Sequence, residues 1–307
     1  VSTHVAVCIV GFRNPGDVAR CLRALEASTW TDFEVVICEN GGADAFAALV
    51  DAIPPRLAGG QGVMTMSAED NPGFAGGVNL CLSRASSADA WWILNPDTEP
   101  HPGALAALVA RLERGDCQAV GGKLHWPDGR IQAYGGRWRP WLARAVSLGM
   151  GEPLEADVDA AWVERAQTYL NGASMLIGPR FLRTVGPMRE DYFLYGEEVE
   201  WCLRGRALGM RLGFAPDAKV LHGHGATTGA GLPKTRQPRL PIYLGERNKM
   251  LLTRDRFAAR LLVAASAALI LLSLRYLREG AWRQFGYALA GWWAGLLGRR
   301  GPTDVAM

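Results

Sequence analysis

Unbroken apolar runs alternate with amphipathic stretches through the N-terminal third of the chain. Val5-Ala6-Val7-Cys8-Ile9-Val10 has no polar position, which is the pattern of a strand covered on both faces. Asn14 is placed to cap a helix with Pro15 at its first position, and Val18, Cys21, Leu22 and Leu25 recur at helical spacing on one face. Phe33-Glu34-Val35-Val36-Ile37-Cys38 predicts a second strand, and Gly62–Met66 a third. A helix from about Ala75 to Arg84 and the strand Trp91-Trp92-Ile93-Leu94 follow. Strand–helix alternation of this kind implies an α/β fold, Rossmann-like, with a mostly parallel central sheet and flanking helices.

In such sheets ligands bind beyond the carboxyl ends of the strands. The first strand runs into Gly11-Phe12-Arg13-Asn14, the second into Glu39-Asn40-Gly41-Gly42 and the fourth into Asn95-Pro96-Asp97, all polar or glycine-rich. Residues 125–168, rich in Pro, Gly and Trp, show no sustained period and read as an irregular insertion, either an acceptor wall or a surface excursion.

Charge divides the chain in two. Residues 1–233 hold 20 basic and 26 acidic groups, whereas residues 234–307 hold 13 and 4. In the basic end, Leu261–Leu274 and Phe285–Gly298 are each uncharged for 14 residues. That is short of the ~20 a spanning helix needs. With Arg275, Arg278, Arg283 and Trp282 between them, they predict a membrane-associating helical tail over 258–307 behind a catalytic body over 1–257, itself split into a nucleotide-binding half, 1–100, and an acceptor half, 101–257. Trp292 and Trp293 are expected at headgroup depth. Basic groups interleaved with apolar runs favour a membrane over a nucleic acid; helices that close the core or a homo-oligomer interface are the alternative for the same residues. The six cysteines are scattered and mostly lie within apolar runs, without the close pairs of zinc or redox motifs, and are expected to be buried thiols. The N-terminal segment lacks the layout of a signal peptide, and the body is expected in the cytoplasm, peripheral on the inner face of the membrane.

Several segments carry candidate chemistry. Asp97, at the tip of a strand that emerges from a core, suits a hard divalent cation such as Mg²⁺ or Mn²⁺, although an Asn-Pro-Asp tripeptide is by itself an ordinary turn. Asn71-Pro72-Gly73-Phe74-Ala75-Gly76-Gly77-Val78-Asn79 reads as a loop opening a helix, where backbone N–H groups can approach a ligand or where glycines permit close packing. No Gly-Lys-Ser/Thr follows it, and no Gly-x-Gly-x-x-Gly follows the first strand, which excludes the P-loop and dinucleotide fingerprints. Glu197, Glu198 and Glu200 cluster at the start of a helix, as caps or as a base with positioning partners. His222 and His224 end the strand-like run Lys219-Val220-Leu221.

Read in order, these segments resemble family 2 glycosyltransferases of GT-A fold, most closely the rhamnosyltransferase-like branch of bacterial polysaccharide synthesis. The likeness spans about residues 4–300 and rests on Cys21-Leu22, Glu39-Asn40 with Asp44, Asn71–Asn79, Leu94-Asn95-Pro96-Asp97, Asn171-Gly172-Ala173-Ser174-Met175-Leu176-Ile177, Phe193–Arg204, and His222 through Thr227. It implies an inverting transfer from a nucleoside diphosphate sugar, with dTDP-rhamnose first in line, to a glycan or lipid-linked hydroxyl. Gly11, Arg13, Glu39, Asn40, Asn71, Gly73, Phe74, Gly76, Asn79 and Asn95 would serve the donor, Asp97 and His222 a Mg²⁺ or Mn²⁺ ion, and Glu198, with Glu197 beside it, the base. Three positions depart from the family pattern: Gly-Phe-Arg-Asn replaces Thr-Tyr-Asn, and Glu39 and Glu198 stand where Asp is usual, each carboxylate reaching one methylene further. The competing expectation is an inactive nucleotide-sugar-binding scaffold, against which the intact Asp97 and Glu198 count.

Overall fold

The first apolar run becomes strand β1 (Val5–Gly11), buried along its whole length because it contributes to two cores at once. Val5, Val7 and Ile9 face one apolar cluster with helix α1 (Pro15–Glu26), while Ala6, Cys8 and Val10 face the other with helix α3 (Gly73–Arg84). Two-sided burial explains why alternation is missing from the sequence here. The structure, a computed structural model, describes residues 2–223 and 232–303. His224 and Gly225-Ala226-Thr227, singled out above, lie outside the described residues.

β1 pairs in parallel with β2 (Phe33–Glu39) and with β4 (Ala90–Leu94), and β2 with β3 (Val63–Ser67). α2 (Ala43–Ala52) connects β2 to β3. Beyond β4 the sheet is mixed. β5 (Thr98–Pro100), α4 (Ala104–Glu113) and β6 (Ala119–His125) come next in the chain, but the strand beside β4 is β10 (Ser174–Ile177), antiparallel to both β4 and β6. β11 (Leu212–His222) then runs parallel to β6 and antiparallel to β5, giving the order β3-β2-β1-β4-β10-β6-β11-β5. α6 (Pro179–Val185) and α7 (Glu197–Ala207) lie between β10 and β11 in sequence.

The segment expected to be irregular is built of short elements. β7 (Ile131–Ala133) pairs with β6, β8 (Gly136–Arg139) and β9 (Arg144–Ser147) form a hairpin, and Asp159 caps α5 (Ala160–Ala166) by accepting from the Trp162 N–H. Strands of three or four residues are too short to display a period. Asn14 also behaves differently from the expected cap: its Oδ1 accepts from Phe12 N and its Nδ2 donates to Asp17, so it braces the turn after β1. The six cysteines are buried free thiols, and burial pushes Cys21, Cys38 and Cys202 up to about 12.

Three helices end the chain: α8 (Arg239–Arg256), α9 (Leu261–Leu277) and α10 (Trp282–Leu296). α10 lies so close on α8 that a Cβ at Gly291 would sit 2.2 Å from Tyr243 O and one at Gly295 2.3 Å from Arg247 O. The two helices thus meet backbone to backbone across the expected boundary at residue 257. Trp292, expected at a membrane, instead donates its indole N–H to Ala265 O, joining α10 to α9. Counting the turn before α9, Ala258–Leu277 is a 20-residue helical stretch of mean hydropathy 1.8, longer than the uncharged count suggests. By length it fits a span as well as a surface helix. Ala264, Ala265, Ala268, Leu272 and Tyr276 nevertheless pack inward on neighbouring elements.

Candidate active site

Parallel pairing brings the ends of β1, β2 and β4 to one edge, where Gly11 registers with Glu39 and Ile9 with Leu94. Glu39 is fully buried there. Its Oε1 accepts from the backbone N–H groups of Arg13 (2.9 Å) and Gly41 (2.8 Å), so the turns after β1 and β2 are held by one carboxylate oxygen. Its Oε2 has no hydrogen-bond partner and stands over Gly11, 2.5 Å from where a Cβ would be. A buried oxygen without a donor is costly, of order 1–3 kcal/mol. Arg13 has φ +56° and donates from Nε to Gly41 O.

The glycine segment is not a free loop. Gly73, at φ +75°, opens α3, and Gly76 and Gly77 lie within its first two turns, where added Cβ atoms would strike Pro72 at 2.4 Å and Val10 at 2.6 Å. These two glycines therefore serve close packing. Asn71 Oδ1 accepts from Gly73 N, buried Asn40 donates to Gly73 O, and Phe74 N donates to Phe193 O. Asn79 lies further along α3, its amide bonded to Met188 N and O and to Glu190, away from the strand ends.

At the tip of β4, Asn95 N donates to Ala173 O and Thr98 Oγ1 to Asn95 O, closing a turn that projects Asp97. β11 returns antiparallel to β5, placing His222 opposite Thr98, with its Nε2 3.3 Å from Asp97 Oδ1. His222 Nδ1 lies 2.8 Å from Gln132 Oε1 on β7, an acceptor that selects the tautomer with its proton on Nδ1. A carboxylate oxygen and an imidazole nitrogen are donor types that a divalent cation accepts, and Gln132 fixes the imidazole from behind. Among the described residues no group of three or more His, Cys, Asp and Glu converges to hold a metal. A cavity of about 170 Å³ lies beside Asp97, lined by Asp17, Arg20, Thr98, Glu99 and Gly223.

The turn whose Ala173 O receives Asn95 N packs against Glu198, in the acidic cluster that opens α7. Gly172 lies beneath Glu198, with a Cβ there 3.3 Å from Glu198 Cγ. Glu198 is half-buried and its Oε2 accepts from Gly196 N, at the amino end of α7. Burial raises its carboxyl and the backbone N–H donors oppose that rise. Glu197 is buried, its Oε2 is without a partner, and burial followed by the neighbouring Glu198 pushes it up to about 8. The two carboxyls titrate as a pair, and the repulsion between them falls on Glu197. Glu200 is fully buried and holds Arg204 and Arg256.

The sequence model of the family described as Glycosyl transferase family 2 matches residues 6–163. The chain belongs to that family. This glycosyltransferase is 27% identical, over 256 residues, to an N-acetylglucosaminyl-diphospho-decaprenol L-rhamnosyltransferase of Mycobacterium tuberculosis, an alignment covering 74% of this chain and 78% of the relative. It is 26% identical to the O-antigen biosynthesis protein RfbC of Myxococcus xanthus over 71% of this chain and 17% of that protein. Its GT-A fold is that of GalNAc-T7 solved with UDP, GalNAc and Mn²⁺ (TM-score 0.62, 14% identity), over 82% of this chain but only about half, 48%, of the other. A mannosyltransferase of Pyrobaculum calidifontis, solved with GDP-Man and Mn²⁺, superposes over 97% of this glycosyltransferase and 88% of its own chain (TM-score 0.56, 16% identity).

The sequence did not single out Gln132 behind His222, or Arg247 and Asn248 on α8, which reach the turn before Glu197. Arg247 and Asn248 read as ordinary polar positions of an amphipathic helix.

Proposed function

We propose that this glycosyltransferase is an inverting, metal-dependent enzyme that moves a sugar from a nucleoside diphosphate donor to a hydroxyl of a glycan or lipid-linked acceptor, with L-rhamnose from dTDP-rhamnose as the preferred donor. The observation that carries the reading is the Asn171–Ala173 turn, which brings Glu198 beside the strand end bearing Asp97. The name of the mycobacterial relative favours rhamnose over other sugars.

Glu39, with the backbone around Gly11, Arg13 and Asn40, accepts donor groups from the nucleoside. Asn95 borders the diphosphate, and Asp97 and His222 would hold Mg²⁺ or Mn²⁺. When bound, the ion supplies Lewis-acid neutralisation of charge on the leaving diphosphate. Glu198 removes the acceptor proton as its oxygen attacks opposite the leaving group, which inverts the anomeric centre; general-base help of this kind is worth about 10²–10⁴-fold. Glu197, protonated beside it, adds no second negative charge. A panel of nucleotide sugars assayed for divalent-dependent release of the nucleoside diphosphate tests this reading, with dTDP-rhamnose expected to turn over fastest. Release that is absent from every donor overturns the activity, and a faster UDP-hexose overturns the sugar.

The enzyme is further proposed to work peripherally at the cytoplasmic face of a membrane. Leu262 is 83% exposed, and Val263, Ile270 and Leu274 share its solvent-facing side of α9 without a charge among them. Arg275, Arg278 and Arg283 lie in or just beyond the α9–α10 turn, with Trp282 and Trp293 exposed on α10. Such a surface suits the headgroup boundary of anionic lipid. Leu262→Glu with Ile270→Glu is expected to cut flotation with anionic liposomes by about tenfold while turnover on a water-soluble acceptor holds. Unchanged flotation refutes the membrane assignment.

A further inference from the structure

The segment that leads into α7 follows an unusual backbone path. Phe193, Tyr195 and Gly196 all have left-handed φ, at +66°, +74° and +86°. Glycine adopts this region freely, but for a bulky non-glycine residue it costs of order 1–3 kcal/mol and persists only where the surroundings over-determine it. Glu197 and Glu198 follow at once, so the course of this loop decides where their carboxyls stand.

What over-determines it is a pair of buried polar side chains on α8. Asn248, 2% exposed, holds its Nδ2 at 2.9, 2.8 and 2.7 Å from the carbonyl oxygens of Tyr192, Leu194 and Tyr195. An amide has only two N–H groups, so at least one hydrogen is shared. Arg247, 1% exposed, donates from Nη2 to Tyr192 O at 2.9 Å and from Nε to Asn248 Oδ1 at 2.9 Å. That second bond settles which end of the Asn248 amide faces the loop. The remaining carbonyl, Phe193 O, accepts from Phe74 N at 2.8 Å, on the donor side. Every carbonyl from Tyr192 to Tyr195 is thereby taken, and Arg247 Nη1 reaches on to Gly301 O beyond α10.

We infer that Asn248, oriented by Arg247, is a positioning residue for sugar transfer: it holds the Phe193–Gly196 loop in the strained path that aims Glu198 at the acceptor. Neither side chain contacts the Asp97–His222 edge, and the loop's bond to the donor side, from Phe74 N to Phe193 O, is one that neither of them makes, so the main effect is expected on the base. The inference rests on the proposed role of Glu198. It also means that the C-terminal helices support the catalytic half, whatever surface α9 rests on.

The test uses the full chain with Asn248→Asp, which keeps size and the acceptor for Arg247 but removes the donors to the carbonyls, and with Asn248→Ala as a second variant. A base displaced by an ångström or so loses about 10²-fold, so kcat should fall to that extent while the donor KM stays within about twofold. Amide exchange should accelerate across residues 193–200 and remain slow in β1, β2 and β4. Wild-type kcat in either variant, or exchange unchanged across the loop, overturns the inference. So does a loss of donor binding parallel to that of turnover, because the clamp would then hold the whole fold. If the wild type itself transfers no sugar, the reading of function has failed, and loop exchange alone still decides whether the clamp exists.

Discussion

Asp97→Ala is expected to remove divalent-metal dependence together with nearly all transfer, a loss of about 10³-fold. Asp97 is the carboxylate at the tip of β4 that faces His222. Without it the departing diphosphate loses its main electrostatic partner at the moment charge develops. Removing Asp97 also removes the contact that orients His222 from the front, although Gln132 still holds it from behind. The fold should survive, because Asp97 is partly exposed and its backbone carbonyl, not its side chain, holds Gly223 N. Titration of Mn²⁺ against turnover and thermal unfolding in the same buffer give the answer. A folded variant with near-normal, metal-stimulated transfer ends the metal-site assignment.

Glu198→Gln is expected to lower turnover by about 10²-fold or more with donor binding nearly intact. Glutamine keeps the shape of the side chain over Gly172 but cannot accept the proton. Glu197→Gln should be far milder at neutral pH, since a neutral amide resembles the protonated acid that burial and Glu198 enforce. The pair also has a thermodynamic signature. A carboxyl raised from an ordinary 4.5 to about 8 in the fold contributes stability that is fully present below 4.5 and is lost as the pH rises through about 8. The wild type should therefore lose stability over that window and Glu197→Gln should not lose that part of it, which denaturation at pH 5, 7 and 9 would reveal. Normal turnover in Glu198→Gln with loss in Glu197→Gln moves the base by one residue.

The strand ends of the candidate donor half were legible because they follow chain order. Strands covered on both faces announce themselves as apolar runs, and the polar tripeptides at their ends, Glu39-Asn40-Gly41 and Asn95-Pro96-Asp97, fall on one edge once the sheet is parallel. The glycines of α3 were legible as glycines but not in their use, since only the packed structure shows Gly77 against Val10. The acceptor half was harder to see. β10 is four residues long and joins the sheet between strands made well before it, so no local period marks its place. The dependence of Glu198 on α8 was hidden for a similar reason: Asn248 is 50 positions away in sequence, and its spacing on the helix says nothing about a carbonyl-lined loop.

The placement of β10 has a consequence for a chain still being synthesised. β1 to β4 can pair as soon as residue 94 has emerged, because each βαβ crossover is local. β6, made next, has β10 on one side and β11 on the other, apart from the short β7, and must wait for residues 174–177 and 212–222. During that interval the open flank of β4 and the apolar edges of β6 are the exposed strands on which a ribosome-bound chain would recruit a chaperone or pair wrongly. A ribosome stalled before residue 174 would thus present the β1–β4 edge proposed for the nucleotide before the proposed base, Glu198, has been made.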